Sequence, residues 1–118
     1  MIRVLVCGGR KYFGPKADET VFDTLNAIHA EHGIEAIIEG GATGADQTAK
    51  WWAYACQIKS ITVKADWHTH GKAAGPIRNQ RMIDAFKPDL VVAFPGGKGT
   101  ADMVARAKKA GIPVKEIV

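Results

Sequence analysis

Residues 36–46 read AIIEGGATGAD, a short apolar segment that ends in a glycine-rich turn and leads directly into a helical pattern. The apolar run Ala36–Glu39, rich in β-branched residues, favours a buried strand. Thr43 and Asp46 stand three residues apart, the spacing of a helix capping box, and open a predicted helix that reaches Gln57. A strand that passes straight into a helix is typical of a parallel crossover connection. This stretch therefore predicts an α/β fold.

The same alternation of apolar runs and helical periods covers the rest of the chain. The further predicted strands are Arg3–Cys7, Ile58–Lys64, Asp89–Phe94 and Val114–Val118, and the further predicted helices are Asp18–His32, Pro76–Phe86 and Thr100–Ala110. Between the third strand and the third helix, Ala65–Arg78 has little periodicity of its own and is predicted as a loop. Because parallel strands need crossovers, we predict one three-layer α/β/α domain over residues 1–118, with five parallel strands in the order 3-2-1-4-5.

Length and composition exclude several classes of protein. With 118 residues, 47% hydrophobic and 24% charged, the chain fits one ordinary globular domain. Its apolar runs are far shorter than the ~18 residues that a membrane span needs, and the N-terminus lacks a signal-peptide pattern. Two cysteines, Cys7 and Cys56, do not make a disulfide framework. We therefore expect a cytoplasmic protein with no membrane partner.

The positive charge is concentrated in the second half of the chain. The formal net charge is +4, yet residues 60–118 carry ten basic and five acidic residues, against six and seven in residues 1–59. A basic excess in one half fits an anionic small ligand or weak binding of nucleic acid. Solvated lysines on exposed helix faces account for part of it.

Three glycine-rich loops, Cys7–Arg10, Glu39–Asp46 and Phe94–Asp102, follow the strands that the predicted order makes adjacent. The carboxyl ends of these strands share one edge of the sheet, so the loops should line a crevice about 10 Å across. Glycines let backbone N–H groups approach a ligand, and helix N-termini favour anions. Neither a Walker A loop nor a G-x-G-x-x-G fingerprint is present. The predicted ligand contacts in these loops are Gly8, Gly9, Arg10, Gly40, Gly41, Thr43, Gly44, Asp46, Pro95, Gly96, Gly97, Lys98, Gly99 and Thr100.

The segment Ala65–Arg78 adds further candidates, because long loops in small domains are uncommon unless they are functional. Trp67 either stacks on a base or plugs the edge of the core. Arg78 and Arg81, three residues apart on one predicted helix, could clamp a phosphate. Lys72 and Asn79 complete the predicted ligand contacts in this region.

Metal binding is not indicated by the histidines of this segment. His68 and His70 lie near Asp66, but two histidines and one carboxylate in a loop are weak evidence for a metal site. We predict no metal and no resident cofactor.

The motifs CGGR (7–10), EGGATGAD (39–46), ADW…GKAAGPIRNQRM (65–82) and AFPGGKGTADMV (93–104) together resemble the YspA-type, cpYpsA-related branch of the SLOG superfamily, over residues 1–118. That superfamily includes the Lonely Guy phosphoribohydrolases, which cleave the N-glycosidic bond of cytokinin riboside 5′-monophosphates, and DprA, which binds single-stranded DNA. The resemblance implies a Rossmann-like fold and a crevice for a nucleotide or nucleotide-derived small ligand. It is also compatible with a homo-oligomer, since Lonely Guy proteins form dimers.

One departure bears on catalysis. The Lonely Guy signature PGGxGTxxE ends in a catalytic glutamate, and the matching position here is Met103; Asp102 lies one residue earlier, rotated by about 100° on a helix. Asp102 and Glu39 are the carboxylates that could substitute, with Asp46 a further one in principle. The rough counterpart of the catalytic arginine is Arg78 or Arg81.

Three functions remain open. The first is a binding module or sensor for a nucleotide-derived small molecule, and it is preferred. The second is a phosphoribohydrolase-type N-glycosidase that acts on a nucleoside 5′-monophosphate. The third is DprA-like binding of single-stranded DNA; nucleic acid is not the expected partner, because the net charge is small and exposed aromatic residues are few.

Overall fold

A five-stranded parallel sheet in the order β3-β2-β1-β4-β5 forms the centre of the computed structural model, which describes residues 1–118. The strands are β1 (Ile2–Cys7), β2 (Ile34–Glu39), β3 (Lys59–Thr62), β4 (Leu90–Ala93) and β5 (Val114–Glu116). The helices are α1 (Pro15–His32), α2 (Ala45–Ala55), α3 (Trp67–His70), α4 (Ala74–Phe86) and α5 (Lys98–Lys109), with a 3₁₀ turn at Gly71–Ala73. The predicted α/β fold and strand order are confirmed.

The three central strands, β1, β2 and β4, are buried on both faces, which explains their nearly continuous apolar sequences. Successive side chains of β1 point to opposite faces, so Val4 and Val6 pack under α1 and α2, while Leu5 and Cys7 pack under α4 and α5. The largest buried side chain, Trp52 of α2, belongs to the first of these two cores. Helices pack on both faces of the three central strands, and the loops after those strands emerge at the edge formed by the carboxyl ends of the strands.

The prediction of a loop over Ala65–Arg78 is wrong. The segment folds as the short helix α3, the 3₁₀ turn and the start of α4, which begins at Ala74. Asp66 caps α3, because its Oδ1 atom accepts the N–H of Thr69 at 3.1 Å. A four-residue helix is too short to show a helical period, so the pattern gave no sign of it.

The predicted capping box at the start of α2 is also wrong. Gly44 precedes the helix, which receives no side-chain cap. Thr43 instead donates its hydroxyl to the carbonyl of Arg10 at 3.0 Å. Asp46 turns back toward the preceding loop and accepts the N–H groups of Gly40 and Ala42. The loop is therefore closed by a carboxylate on the first turn of the helix.

Two further features concern the whole chain. Both cysteines are free, Cys7 in the core and Cys56 on the surface. None of the helices combines the length and the apolar character that crossing a membrane requires.

Candidate functional site

A cleft of about 1230 Å³ opens where the loops after β1, β2 and β4 meet. Successive strands are added on one side of β1 up to β3 and on its other side from β4 onward, so the direction of the topology reverses between β1 and β4. Open α/β sheets bind ligands at such a point. The volume exceeds the few hundred Å³ of an ordinary small-molecule site, so the cleft has room for a ligand of nucleotide or dinucleotide size.

The structure brings most of the predicted site residues together. Eighteen of them line the cleft: Gly8, Gly9, Arg10, Gly40, Gly41, Thr43, Asp46, Trp67, Lys72, Arg78, Asn79, Pro95, Gly96, Gly97, Lys98, Gly99, Thr100 and Asp102. Gly44 and Glu39 do not line it. The Glu39 side chain is fully buried below the loop after β2, and Gly44 packs beneath the loop after β1.

Several of the glycines serve packing between the loops. Gly44 has a positive φ of 78°, and a Cβ there would collide with the carbonyl oxygen of Gly9. A Cβ on Gly96 would collide with Thr100 and would approach the Gly9 nitrogen to 2.7 Å. At Gly8 a Cβ would lie 2.7 Å from that of Ala45. These positions hold the three loops in contact.

Gly97 and Gly99 are different, because a Cβ at either position would meet no protein atom within 4 Å. They lie at the start of α5, where the N–H groups of Lys98, Gly99 and Thr100 have no acceptor within the protein. Ala101 has the first paired N–H group of the helix, which donates to the carbonyl oxygen of Gly97 at 3.0 Å. Free N–H groups and the positive end of a helix favour an anion such as a phosphate.

The loop after β2 presents a carboxylate to the cleft. Three of its N–H groups are already occupied: Gly40 and Ala42 donate to Asp46 Oδ2 at 3.1 and 3.3 Å, and Gly41 donates to Glu39 Oε1 at 2.8 Å. The second oxygen of Glu39 accepts the hydroxyl of Thr62. The expectation that this loop offers N–H groups to an anion therefore does not hold for Gly40, Gly41 and Ala42.

Burial changes the titration of the groups at the floor of the cleft. It raises the pKa of Asp46 to about 7, with a smaller contribution from the charge of Glu39 and opposing effects of the two loop N–H groups and of Arg78. Burial, assisted by Asp46, raises the pKa of Cys7 to about 12. The thiol of Cys7 is therefore protonated at neutral pH and is not a nucleophile.

Arg78 is fixed at the floor by three hydrogen bonds. Its Nη1 donates to the carbonyl of Gly40 at 2.8 Å and to that of Val63 at 3.5 Å, and its Nε donates to Asn79 Oδ1 at 3.0 Å. Its Nη2 donates to no protein atom. Burial lowers the pKa of Arg78, yet the guanidinium stays charged at neutral pH. The Nη2 group of this fixed guanidinium is thus available to a ligand in the cleft.

Asp102 belongs to a polar network between α4 and α5. Its Oδ2 accepts Asn79 Nδ2 at 3.0 Å and Arg106 Nε at 2.8 Å, and Asn79 also donates to the carbonyl of Gly99. Desolvation raises the pKa of Asp102, but the hydrogen bonds from Arg106 and Asn79 outweigh it and keep the pKa below its usual value. The group is a carboxylate at neutral pH.

The mouth of the cleft combines an aromatic ring with cations. Trp67 is 49% exposed, so it does not plug the core; the edge of its ring lies against Gly75. The Arg10 guanidinium carbon lies 5.9 Å from the centre of the Trp67 ring, a cation–π distance. Lys72 and Lys98 line the same opening.

Arg81 does not reach this cleft, so the predicted clamp of Arg78 with Arg81 is wrong. It is exposed and borders a separate shallow groove with Gln80, Asp84 and Arg106. Because Arg81 lies three residues after Arg78 on the same helix, the directions of the two side chains differ by about 60°, enough to point Arg81 out of the cleft.

Sequence reasoning missed some lining residues, among them Lys64, Lys11 and Tyr12. Lys64 is the last residue of the predicted third strand and lies beyond the observed end of β3 at the same edge of the sheet, so its place at a strand end could have indicated it. Tyr12 stacks on Phe94 with ring centres 5.7 Å apart, and no motif marked it.

The histidines near α3 form no metal centre. His68 and His70 are exposed, and the Asp66 carboxylate caps the helix. No group of three histidine, cysteine, aspartate or glutamate side chains in the structure could hold a metal ion.

Comparisons with known proteins agree with the fold and with the motifs. The model of the YAcAr family, described as the YspA, cpYpsA-related SLOG family, matches residues 2–70. The Gene 61 protein of Mycobacterium phage D29 is 39% identical over 122 residues, which span 97% of this chain and 94% of that protein.

Two solved structures share the fold at low sequence identity. The X-ray structure of TM1055, a structural-genomics target, superposes with a TM-score of 0.70 at 18% identity, over 97% of this chain and 72% of that one. The molybdenum cofactor carrier protein MCP from Chlamydomonas reinhardtii superposes with a TM-score of 0.68 at 23% identity, over 98% of this chain and 76% of that one.

Proposed function

The chain belongs to the YspA, cpYpsA-related SLOG family, and we propose that its cleft binds a nucleotide or a nucleotide-derived small molecule. One observation carries the proposal: the unpaired N–H groups at the start of α5 open into the same cleft as the exposed ring of Trp67. The first suits a phosphate and the second suits a base. That a cofactor carrier has a similar fold supports binding of a small molecule in this architecture.

The charges of the cleft support an anionic ligand. Arg10, Lys72 and Lys98 lie at the opening, and the free Nη2 of Arg78 lies at the floor. Arginine offers a forked set of donors to a phosphate, whereas lysine adds a mobile point charge. In this arrangement the phosphate binds at α5 and the base stacks on Trp67.

Calorimetric titration with AMP, ADP-ribose, NAD and cyclic dinucleotides tests the proposal. We expect one of these ligands to bind, and Lys98→Ala to weaken it by about tenfold, the effect of losing one hydrogen bond to a charged group. Lys109→Ala is the matched control, because Lys109 is exposed in the last turn of the same helix and does not line the cleft. Absence of binding across the panel would overturn the proposal.

Gly99→Ala gives a second test with the charge unchanged. Helical Cα–Cβ bonds tilt toward the N-terminus, so the added methyl group would crowd an anion at the start of α5 without touching the protein. We expect ligand affinity to fall while the melting temperature holds or rises. Unchanged affinity would exclude the start of α5 as the phosphate site.

Hydrolysis of the N-glycosidic bond of a bound nucleoside 5′-monophosphate is a second candidate, which the ionised Asp102 favours. A carboxylate in the cleft could stabilise an oxocarbenium-like transition state while water adds to C1′ and the base leaves. The test is release of free base and ribose 5-phosphate from AMP. Turnover that Asp102→Asn abolishes would support this activity, and turnover that it leaves unchanged would remove Asp102 from the reaction.

A further inference from the structure

One carboxylate oxygen at the floor of the cleft has no partner within the protein. Asp46 is only 6% exposed, yet it lines the cleft. Its Oδ2 accepts the N–H groups of Gly40 and Ala42, and its Oδ1 accepts none. The only buried side-chain atom that is both sealed from solvent and unpaired is the hydroxyl of Ser60, so Asp46 Oδ1 still reaches the cleft. A nearly buried carboxylate with a free oxygen calls for a donor from outside the protein.

The charges around Asp46 indicate what kind of donor fits. Glu39 of β2, Cys7 of β1 and Arg78 of α4 face it, and Lys64 lies above the loop on the side of β3. None of the three ion pairs in the structure includes Asp46, so no cationic nitrogen lies within 4.0 Å of its carboxylate. The ionised Asp46 offers no donor to a phosphate oxygen. A hydroxyl group can donate to Oδ1 without bringing a negative charge.

The spacing relates Asp46 to the start of α5. Asp46 follows β2, the free N–H groups of α5 follow β4, and β1 lies between them. Two strand spacings separate the ends of β2 and β4 by about 10 Å, which sets the scale of the distance between the two positions. A sugar phosphate with a hydrogen bond of about 3 Å at each end is of this length.

From this arrangement we infer that Asp46 accepts hydrogen bonds from the ribose hydroxyl groups of a nucleotide whose phosphate binds at the start of α5. The inference rests on the proposed function and adds to it a choice of ligand class: the cleft selects ribonucleotides over analogues that lack the 2′- and 3′-hydroxyl groups. Glu39 ends β2 but cannot act in this way, because its side chain is fully buried and both of its oxygens are occupied.

Calorimetry on the unmodified protein with AMP and with 2′,3′-dideoxy-AMP tests the inference. We expect the dideoxy analogue to bind at least about tenfold more weakly, because a site built for a hydroxyl group is left with an unpaired carboxylate. Equal affinities would overturn the inference and leave the proposed function standing. Failure of AMP alone to bind would overturn the inference, and failure of AMP, ADP-ribose, NAD and the cyclic dinucleotides to bind would overturn both.

Asp46→Asn tests the residue itself. The amide oxygen can still accept the two loop N–H groups, while its nitrogen places a donor where Oδ1 was. We expect the affinity for AMP to fall by about tenfold and the affinity for dideoxy-AMP to change little, so that discrimination is lost. Glu39→Gln is the matched control, since Glu39 supports the same loop without lining the cleft, and it should keep the discrimination. Unaltered discrimination in Asp46→Asn would contradict the assignment; if that variant does not fold, the comparison on the unmodified protein decides.

Proton linkage offers a readout that a purely structural role would not move. Burial raises the pKa of Asp46 to about 7, and hydroxyl donors favour its ionised form. The ratio of the affinities for AMP and dideoxy-AMP should therefore increase between about pH 6 and about pH 8. The phosphate of both ligands titrates alike, so its contribution cancels in the ratio. A ratio that is constant over this range would contradict an ionisable acceptor.

Discussion

The Nη1 atom of Arg78 lies 2.8 Å from the carbonyl oxygen of Gly40, so a guanidinium from α4 is attached to the loop that follows β2. The contact crosses from one layer of the fold to the sheet and fixes the cation beside Asp46. Gly40 allows it, because a Cβ at this position would collide with the guanidinium. The glycine therefore positions a side chain of the site.

Gly40→Ala should release this guanidinium with little loss of stability. The group in the way is the far end of a flexible side chain, which can move aside, and Gly40 is not among the glycines with positive φ. We expect the free energy of unfolding to change by about 1 kcal/mol or less and the affinity for AMP to fall by about tenfold. Chemical denaturation and calorimetry measure the two effects. Arg78→Lys should reproduce the loss of affinity; full affinity in Gly40→Ala would mean that the position of Arg78 does not matter.

Gly44→Ala and Gly99→Ala should have opposite effects on stability. Alanine at position 44 adopts a left-handed conformation and meets the backbone of the loop after β1, so we expect a loss of at least about 2 kcal/mol. Alanine at position 99 lies in a helix and meets nothing, so we expect a gain of about 0.5–1 kcal/mol. Urea denaturation of the two variants checks both values. Similar effects of the two substitutions would contradict the division of the glycines into packing and ligand-facing positions.

Asp46 should make the fold less stable as the pH rises. The ordinary pKa of an aspartate is 3.8, and that of Asp46 in the folded protein is about 7. Between these values the unfolded chain has released the proton and the folded protein retains it. The free energy of unfolding therefore falls through this window, by up to roughly 4 kcal/mol, and levels off above about pH 7.

Asp46→Asn removes this titration. The stability of the variant relative to the unmodified protein should increase from about pH 4 to about pH 7 and then stay constant. Urea denaturation at a series of pH values measures it, with Glu39→Gln as a second buried carboxylate substitution in the same loop. A relative stability of Asp46→Asn that does not depend on pH would show that Asp46 titrates normally.

The two cysteines should differ in reactivity. Cys56 is exposed, whereas burial of Cys7 raises its pKa to about 12. Iodoacetamide at neutral pH should label Cys56 and leave Cys7 unmodified in the folded protein, and it should label both in urea. Peptide mass spectrometry distinguishes the sites. Rapid labelling of Cys7 in the folded protein would mean that the floor of the cleft is open to reagents.

The fold was predictable because the same sequence pattern, an apolar run followed by a helical period, is repeated along the chain. Each apolar run, such as Arg3–Cys7, is followed by a helical period, and parallel strands joined by crossovers leave few topologies. The helical turns of residues 67–73 were not predictable, because a single turn shows no period and depends on one capping contact of Asp66. The prediction for the start of α2 is wrong for a related reason. The spacing of Thr43 and Asp46 fits a capping box, but Thr43 donates to the carbonyl of Arg10 and Asp46 accepts from the preceding loop.

The location of the cleft was predictable from the glycine loops, whereas the contacts within it were not. Loops after adjacent parallel strands must meet at one edge, and this placed most of the lining residues. The sequence could not show that Asp46 and Glu39 occupy the N–H groups of Gly40, Gly41 and Ala42, while those at the start of α5 stay free. That difference depends on side-chain orientation, as does the separation of Arg78 from Arg81.

The most direct test of nucleotide binding in the cleft is a titration of the isotope-labelled protein with AMP, followed by the backbone amide signals in NMR spectra. Binding at the proposed site predicts the largest shifts at Lys98, Gly99 and Thr100 and at the indole N–H of Trp67, with saturation below about 1 mM. Signals that do not move with AMP or with any other ligand of the calorimetric panel, or shifts confined to residues outside the cleft, would contradict the account.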